Sequence, residues 1–112
     1  MADAARPTIS THVLDTERGR PAEGIRVALY RLDVGKSPIR MTQALTDSDG
    51  RVRDLLERPL VAGDYRLEFD LAREETPFFT KVAVDLHVEN ADRSYHVPLL
   101  LAPYSMTTYR GS

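Results

Sequence analysis

The chain of 112 residues contains no cysteine. It can therefore form no disulfide, no zinc site with thiolate ligands and no cysteine nucleophile. No apolar run approaches the roughly 20 residues of a membrane-spanning helix. The sequence also lacks a Gly-rich phosphate loop and the G-x-S-x-G turn that carries the nucleophile of many serine hydrolases.

Neither sign of charge is in large excess, because the formal net charge is only -2 at pH 7. No basic field therefore points to nucleic acid as a partner. The hydrophobic content of 42% is sufficient for a core, and the charged content of 29% is ordinary. This length suits one domain.

The two ends of the sequence give expectations about domain limits and compartment. Residues 1–7 are predicted to form a disordered arm, and residues 8–112 a single domain. The start, MADAARP, lacks the apolar region of a signal peptide, and the last three residues are not the Ser-Lys-Leu peroxisomal signal. We therefore expect a cytoplasmic protein, or a periplasmic one in its mature form.

Short alternating segments dominate the pattern. Residues 65–71 and 82–88 alternate most clearly between apolar and polar side chains. The full set of predicted strands is 8–16, 25–34, 39–46, 51–56, 65–71, 82–88, 95–101 and 104–109. At most one helical turn is expected, at residues 72–76. Seven or eight short strands at regular spacing predict an all-β, antiparallel sandwich.

The strand at residues 95–101 is mostly apolar on both faces. One of these faces carries His96, Pro98 and Leu100. A strand with a solvated face would be polar at alternate positions. We therefore expect a second copy of the chain to cover this face, so that His96 lies in a half-buried seam.

Three histidines are candidates for function. His87 falls on the polar face of an alternating strand, which favours a solvated side chain without a role. His12 and His96 each fall in a strand, and a histidine in that position is more often structural when taken alone. Two histidines on faces turned away from the core suggest a shared polar pocket.

A metal site is not favoured by the sequence. The histidines show no H-x-H or H-x-x-x-H spacing, and zinc needs three or four converging ligands. A calcium loop starting at Asp47 would need Gly at the position of Val52 and Glu at that of Arg58. The D-S-D-G stretch at residues 47–50 is therefore predicted to be a hairpin turn.

Three further residues each allow two interpretations. Arg51 is a surface arginine or a clamp for carbonyl and enolate edges, and Arg53 should share its face. Tyr109 is a core aromatic or a substrate contact. Ser112 contributes a hydroxyl and the α-carboxylate of the chain.

Three ordered segments carry a family resemblance. The last of them, HVPLLLAPYSMTTYRGS at residues 96–112, resembles the C-terminal signature of 5-hydroxyisourate hydrolases in the transthyretin-related family. The YRGS ending separates these hydrolases from transthyretin. STHVLD at residues 10–15 resembles the N-terminal segment of the family, and TDSDGR at residues 46–51 resembles its T-x-x-x-G-R turn. Met106 departs from the pattern, since an aromatic residue is more usual there.

The resemblance implies a fold, an assembly and a reaction. The implied fold is that of transthyretin, as a homotetramer with active sites in the channel where dimers meet. The implied reaction is hydrolysis of 5-hydroxyisourate in urate degradation, with no cofactor and no metal. The net charge and the lack of a long apolar run add the expectation of no nucleic-acid or membrane partner. The implied catalytic residues are His12, Arg51, His96 and Ser112, and His12, Arg51 and Tyr109 would also bind substrate.

Those residue types suit the reaction. Water is a poor nucleophile, and a histidine supplies a base with a pKa near neutrality. A fixed cation stabilises the oxyanion that forms when water adds to an amide. Two other classes remain open, a transthyretin-like carrier of a small aromatic ligand and a purely structural domain.

Overall fold

The computed structural model describes residues 6–72 and 77–111. Within these ranges no helix is long and apolar enough to span a membrane. The described residues form nine strands: β1 (Ile9–Asp15), β2 (Arg20–Pro21), β3 (Arg26–Leu32), β4 (Ile39–Leu45), β5 (Arg51–Val52), β6 (Gly63–Asp70), β7 (Lys81–Val88), β8 (Tyr95–Ala102) and β9 (Ser105–Thr108).

The strands form two sheets. The first sheet has the order β2-β1-β8-β9, and β5 also pairs with β1. The second sheet has the order β4-β3-β6-β7. Every pairing is antiparallel except that of β1 with β8, which is parallel. The predicted sandwich is confirmed, and the parallel pair is an addition that local sequence patterns do not reveal.

Alternate residues of the facing strands fill the space between the sheets. Ile9, Val13 and Leu99 from the first sheet are fully buried, as are Leu67 and Phe69 from the second. Burying a large apolar side chain contributes about 1.5–3 kcal/mol. The period of two along each strand therefore fixes which residues remain on the outer surface of each sheet.

Two local predictions differ from the structure. The predicted strand at 51–56 pairs only at Arg51–Val52, because the carboxylate of Asp54 accepts hydrogen bonds from the N–H groups of Leu56 and Glu57 and turns the chain away. The predicted loop at 17–24 contains the two-residue strand β2, which raises the count to nine.

Two other predicted segments are described only in part. The predicted helical turn lies outside the described residues except for Ala72. The predicted arm is described only at Arg6 and Pro7, where the guanidinium of Arg6 lies 3.0 Å from the carboxylate of Asp54. The division into an arm and one domain stays a prediction.

Candidate active site

The site lies on the surface of the first sheet that faces away from the core, here called the outer face. In the pairing of β1 with β5, His12 lies opposite Arg51. In the pairing of β1 with β8, Ser10 lies opposite His96. Ser10 and His12 are two residues apart on one strand and share a face. Strand register thus brings both predicted histidines and the predicted arginine to one surface.

The turn before β5 fixes the position of Arg51. The Asp47 carboxylate accepts hydrogen bonds from the N–H groups of Asp49 and Arg51, at 2.9 and 3.0 Å. Gly50 has a φ of 75°, and its carbonyl accepts the N–H of Val13 at 2.7 Å. A Cβ at residue 50 would lie 2.4 Å from the Val13 carbonyl oxygen. Glycine is therefore required for β5 to approach β1 and bring Arg51 beside His12.

The structure also separates Arg51 from Arg53. Arg53 lies 3.6 Å from the carboxylate of Asp49, and its side chain is 68% exposed. Arg51 is half-buried, and none of the described carboxylates lies within ion-pair distance of its guanidinium. Since it has no carboxylate partner there, Arg51 is the arginine available to an anionic or carbonyl-rich ligand.

His96 is half-buried, and its environment favours the neutral imidazole. Burial is the largest cause that lowers its pKa below the ordinary 6.5, followed by the charge of Arg51 and the imidazole of His12. Its Nδ1 lies 2.8 Å from the hydroxyl oxygen of Ser10. A neutral imidazole at pH 7 can accept a proton, so His96 is equipped to act as a base.

The C-terminal segment packs directly on His96. The N–H of Gly111 donates to the His96 carbonyl at 2.7 Å, which forms an isolated bridge between the two residues. A Cβ at residue 111 would lie 2.7 Å from Cδ2 of His96 and 3.3 Å from Cγ of Pro98. Only glycine allows the tail to lie this close to the ring. Ser112, a predicted catalytic residue, is outside the described residues.

Tyr109 lies at an open cleft of about 310 Å³. Its side chain is 54% exposed, which excludes the core-aromatic interpretation within this chain. His96 and Arg110 line the same cleft, and the guanidinium of Arg110 lies 4.8 Å from the ring centroid of Tyr95. Tyr109 is thus close to one predicted site residue, and its contact with substrate stays a prediction.

Met106 is not on the outer face. It lies opposite Leu101 in the pairing of β8 with β9, in line with the core-facing positions of β8. The departure from the family pattern at Met106 therefore does not alter the surface around His12 and His96.

His87 lies on β7, in the second sheet. Its side chain is 71% exposed, and its Nδ1 lies 2.7 Å from the carboxylate of Asp64. The prediction of a solvated side chain is confirmed. The hydrogen bond to Asp64 and the charge of that carboxylate raise the pKa of His87 above 6.5.

Two other features of the surface carry no comparable chemistry. A larger open cleft of about 760 Å³ is lined by Phe78, Phe79 and Tyr104 among others, and no histidine lines it. Throughout residues 6–72 and 77–111, no group of three or more His, Cys, Asp or Glu side chains is placed to hold a metal ion. The metal-free, cofactor-free site stays a prediction.

Sequence reasoning missed three residues that build the site. They are Ser10, Asp47 and Gly111, which respectively contact His96, orient Arg51 and pack on His96. The period of two places Ser10 on the face of His12, which is a usable signal. Its contact with His96 depends on the parallel pairing of β1 with β8, for which the local pattern has no signal.

Comparison with known proteins adds independent findings. Residues 9–111 match the HIUase/Transthyretin family. A 5-hydroxyisourate hydrolase of Caulobacter vibrioides is 40% identical over 113 residues, which cover 93% of this chain and 97% of the relative. The solved structure of a Klebsiella pneumoniae 5-hydroxyisourate hydrolase is 34% identical, with a TM-score of 0.79, and the match covers 95% of this chain and 99% of that one.

A transthyretin is equally similar in fold. The structure of sea bream transthyretin in complex with thyroxine has a TM-score of 0.82 at 27% identity, covering 92% of this chain and 93% of that one. Fold similarity therefore does not separate hydrolases from transthyretins, and the separation must come from side chains. The family match over almost the whole described chain and the full-length relatives at about 40% identity lead to one conclusion: this chain belongs to the HIUase/Transthyretin family.

Proposed function

We propose that the chain is a 5-hydroxyisourate hydrolase of urate degradation. Water opens the six-membered ring of 5-hydroxyisourate at an amide bond and gives 2-oxo-4-hydroxy-4-carboxy-5-ureidoimidazoline. The observation that carries the proposal is the meeting of His12, Arg51 and His96 on one outer face. Relatives named as this hydrolase, at about 40% identity over their full length, support the same assignment.

The proposed mechanism assigns one step to each polar group. His96, neutral at pH 7 because its pKa is lowered, takes a proton from water as the water oxygen bonds to the amide carbon. Arg51 stabilises the negative charge that develops on the carbonyl oxygen. The imidazolium of His96 returns its proton to the leaving ring nitrogen as the C–N bond breaks. His12, beside Arg51, holds the substrate.

The nature of the substrate suits the remaining residues. 5-Hydroxyisourate is planar and rich in N–H and C=O groups, and the planar fork of a guanidinium matches such edges. We assign substrate binding to His12, Arg51 and Tyr109, and a supporting catalytic role to Ser112, which directly follows the glycine packed on His96. No cofactor enters this scheme.

A carrier is the second candidate, favoured by the similarity to a transthyretin that binds thyroxine. A carrier without chemistry has no need for a half-buried arginine, without a described carboxylate partner, on the same face as two histidines. It also has no need for glycine against an imidazole ring. A purely structural domain would leave all of these features without a role.

We also propose a homotetramer whose sites contain more than one chain. Leu14 and Leu100 lie opposite each other on the outer face and are only half-buried, which supports a partner surface there. Pro98 is buried within the single chain, in contact range of Gly111, so the tail supplies part of the cover expected from a partner. A stable, active monomer in light scattering at micromolar concentration would refute this assembly.

The test of function is an absorbance assay. Urate oxidase generates 5-hydroxyisourate from urate, and its decay is followed with the protein at about one-thousandth of the substrate concentration. A hydrolase accelerates the decay through many turnovers. A carrier changes it by no more than its own molar amount, which would refute the proposal. Location in the cytoplasm and the absence of nucleic-acid and membrane partners stay predictions.

A further inference from the structure

Among the described residues, Ser10 is the one whose side chain hydrogen-bonds to the His96 ring, and it has no role in the mechanism above. Its Oγ lies 2.8 Å from Nδ1 of His96, which is within hydrogen-bond distance. The two residues are opposite each other in the parallel pairing of β1 with β8. Neighbouring strands of one sheet therefore hold the hydroxyl in a fixed place relative to the imidazole.

We propose that Ser10 is a positioning residue that fixes the orientation and tautomer of His96, so that Nε2 faces the substrate. This inference rests on the proposed function, in which His96 acts as the base. Ser10 itself touches no reacting atom. It acts only through the imidazole.

The ring is held at two opposite edges. Ser10 occupies the Nδ1 edge, and Gly111 lies so close to the other edge that a Cβ there would meet Cδ2 at 2.7 Å. Rotation of the ring about the Cβ–Cγ bond would break the hydrogen bond to Ser10. In the part of the chain that the structure describes, Ser10 is the only hydrogen-bond partner of the imidazole, so Nε2 remains for water or substrate.

The base role also fixes the direction of the hydrogen bond. A neutral imidazole carries one N–H and one lone pair. If Nδ1–H donates to the Ser10 hydroxyl oxygen, the lone pair is on Nε2, where a proton can be accepted. The reverse arrangement would place N–H at Nε2 and abolish the base. The proposal therefore requires the Nδ1–H tautomer.

The charged and titratable groups around His96 would be unchanged by a substitution at Ser10. On the outer face these are His12 and Arg51. Five more line the cleft on the other side, namely Asp85, His87, Tyr95, Tyr109 and Arg110. Because serine is uncharged, Ser10→Ala leaves this field in place, so a change at His96 reports the lost hydrogen bond.

The chain offers a matched control. Ser94 accepts a hydrogen bond from the N–H of Thr8 at 3.0 Å, and so links the segments that precede β8 and β1. Ser94→Ala removes a serine hydroxyl two residues from His96, and among the described hydrogen bonds the Ser94 hydroxyl makes none with the imidazole. Ser10→Thr removes nothing, because it keeps a hydroxyl on a residue type that strands accept well.

The kinetic experiment measures hydrolysis by Ser10→Ala, Ser10→Thr and Ser94→Ala. We expect Ser10→Ala to lower kcat by about 10- to 100-fold with a much smaller change in KM, as loss of catalytic geometry does. Ser10→Thr should recover most of kcat, and Ser94→Ala should match the wild type. Wild-type kcat in Ser10→Ala, or equal losses in Ser10→Ala and Ser94→Ala, would overturn the proposal.

A second measurement does not depend on turnover. Nitrogen-15 NMR of the wild-type protein at neutral pH reports which ring nitrogen of His96 carries the proton. We expect the proton on Nδ1, and a mixture of tautomers in Ser10→Ala. A proton on Nε2 in the wild type would overturn the role of Ser10 while the hydrolase assignment stands. Absence of hydrolysis by the wild type would instead refute the proposed function.

Discussion

His87 and His96 lie nine residues apart on consecutive strands and line the same cleft, yet they differ in burial, hydrogen-bond partner and direction of pKa shift. His87 is exposed on β7, where the Asp64 carboxylate raises its pKa. His96 is half-buried on β8, where burial and the charge of Arg51 lower its pKa. Its hydrogen-bond partner is a neutral hydroxyl.

The difference shows what makes one histidine a candidate catalyst. At pH 7 the carboxylate beside His87 favours the charged imidazolium, which cannot accept a proton. The environment of His96 favours the neutral imidazole, which can. His87 and His96 are the same residue type and both lie in strands, so the difference between them lies in neighbours from other strands. The predictions below test that distinction, starting with the largest expected effect.

The largest effect is expected on removal of the groups that surround His96. His12→Ala and Arg51→Ala should each lower kcat/KM by on the order of 10²- to 10⁴-fold, because a positioned imidazole and an oxyanion partner are lost. The double mutant His12→Ala/His96→Ala should be barely worse than the poorer single mutant, since the groups act as a unit. Initial rates and melting temperatures measure both effects.

Arg53→Ala is the matched control for Arg51→Ala. Arg53 is exposed and paired with Asp49, so its loss should leave the rate unchanged. A structural role would act through stability, typically about 0.5–3 kcal/mol, and the rate losses would follow the unfolded fraction. If the rate losses of His12→Ala and Arg51→Ala vanish after correction for unfolding, these neighbours of His96 have no catalytic role. The contrast between His87 and His96 would then have no catalytic meaning.

Deletion of residues 109–112 should abolish turnover, because it removes Tyr109, Ser112 and the glycine packed on His96. The fold should survive, since β9 ends at Thr108. Of the described contacts, the deletion removes the Gly111 hydrogen bond and the Arg110–Tyr95 contact, each worth about 0.5–1.5 kcal/mol. Parent-level hydrolysis by the truncated protein would show that the tail is not part of the site.

Gly111→Ala perturbs one side of His96 without removing any polar group. The added Cβ would lie 2.7 Å from Cδ2 of the imidazole, so the ring or the tail must shift. A displacement near 1 Å lowers rates by roughly 100-fold when geometry matters, and we expect kcat to fall by that order. Gly35→Ala is the control for a glycine change that strains the backbone without a clash, because Gly35 has a φ of 75° and nothing lies within 4 Å of a Cβ there. A similar loss of kcat in both variants would contradict the packing argument.

The pKa directions of the two histidines give a titration test. In NMR titration His96 should titrate below 6.5 and His87 above it. Since the base must be neutral, the acid limb of the kcat/KM profile should also lie below 6.5. Asp64→Asn should lower the pKa of His87 toward its ordinary value and leave the acid limb in place. An acid limb that moves with Asp64→Asn would show that His87, and not His96, is the base.

The smallest expected effect is that of chelation. Prolonged treatment with a chelator should leave the rate unchanged, because the proposed mechanism uses an imidazole base and a guanidinium in place of a metal. The check is the initial rate before and after chelation. Loss of the rate, and its return on addition of zinc, would mean that the histidines act as ligands.

Most of the fold follows from local pattern. The alternation at residues 65–71 and 82–88 predicts β6 and β7 within two residues of their observed limits. The length of β5 does not follow, because Asp54 captures backbone N–H groups that a strand would need. The parallel pairing of β1 with β8 is a tertiary arrangement between segments more than 80 residues apart.

The site is predictable in part for the same reason. His12, Arg51 and His96 stand out through residue type and family resemblance, and strand register brings them to one face. The choice of Arg51 over Arg53 rested on the family position alone, and the ion pair of Arg53 with Asp49 supplies the physical reason. Ser10 and Gly111 were missed because their value lies in contacts with His96 across the sheet.

The most direct test compares His96→Ala with His87→Ala in the 5-hydroxyisourate decay assay, at one pH and with melting temperatures for both. The account predicts that His96→Ala lowers kcat/KM by on the order of 10²- to 10⁴-fold with little change in melting temperature. His87→Ala should hydrolyse the substrate at the wild-type rate. Equal losses in the two variants, or a wild-type rate in His96→Ala, would contradict the account.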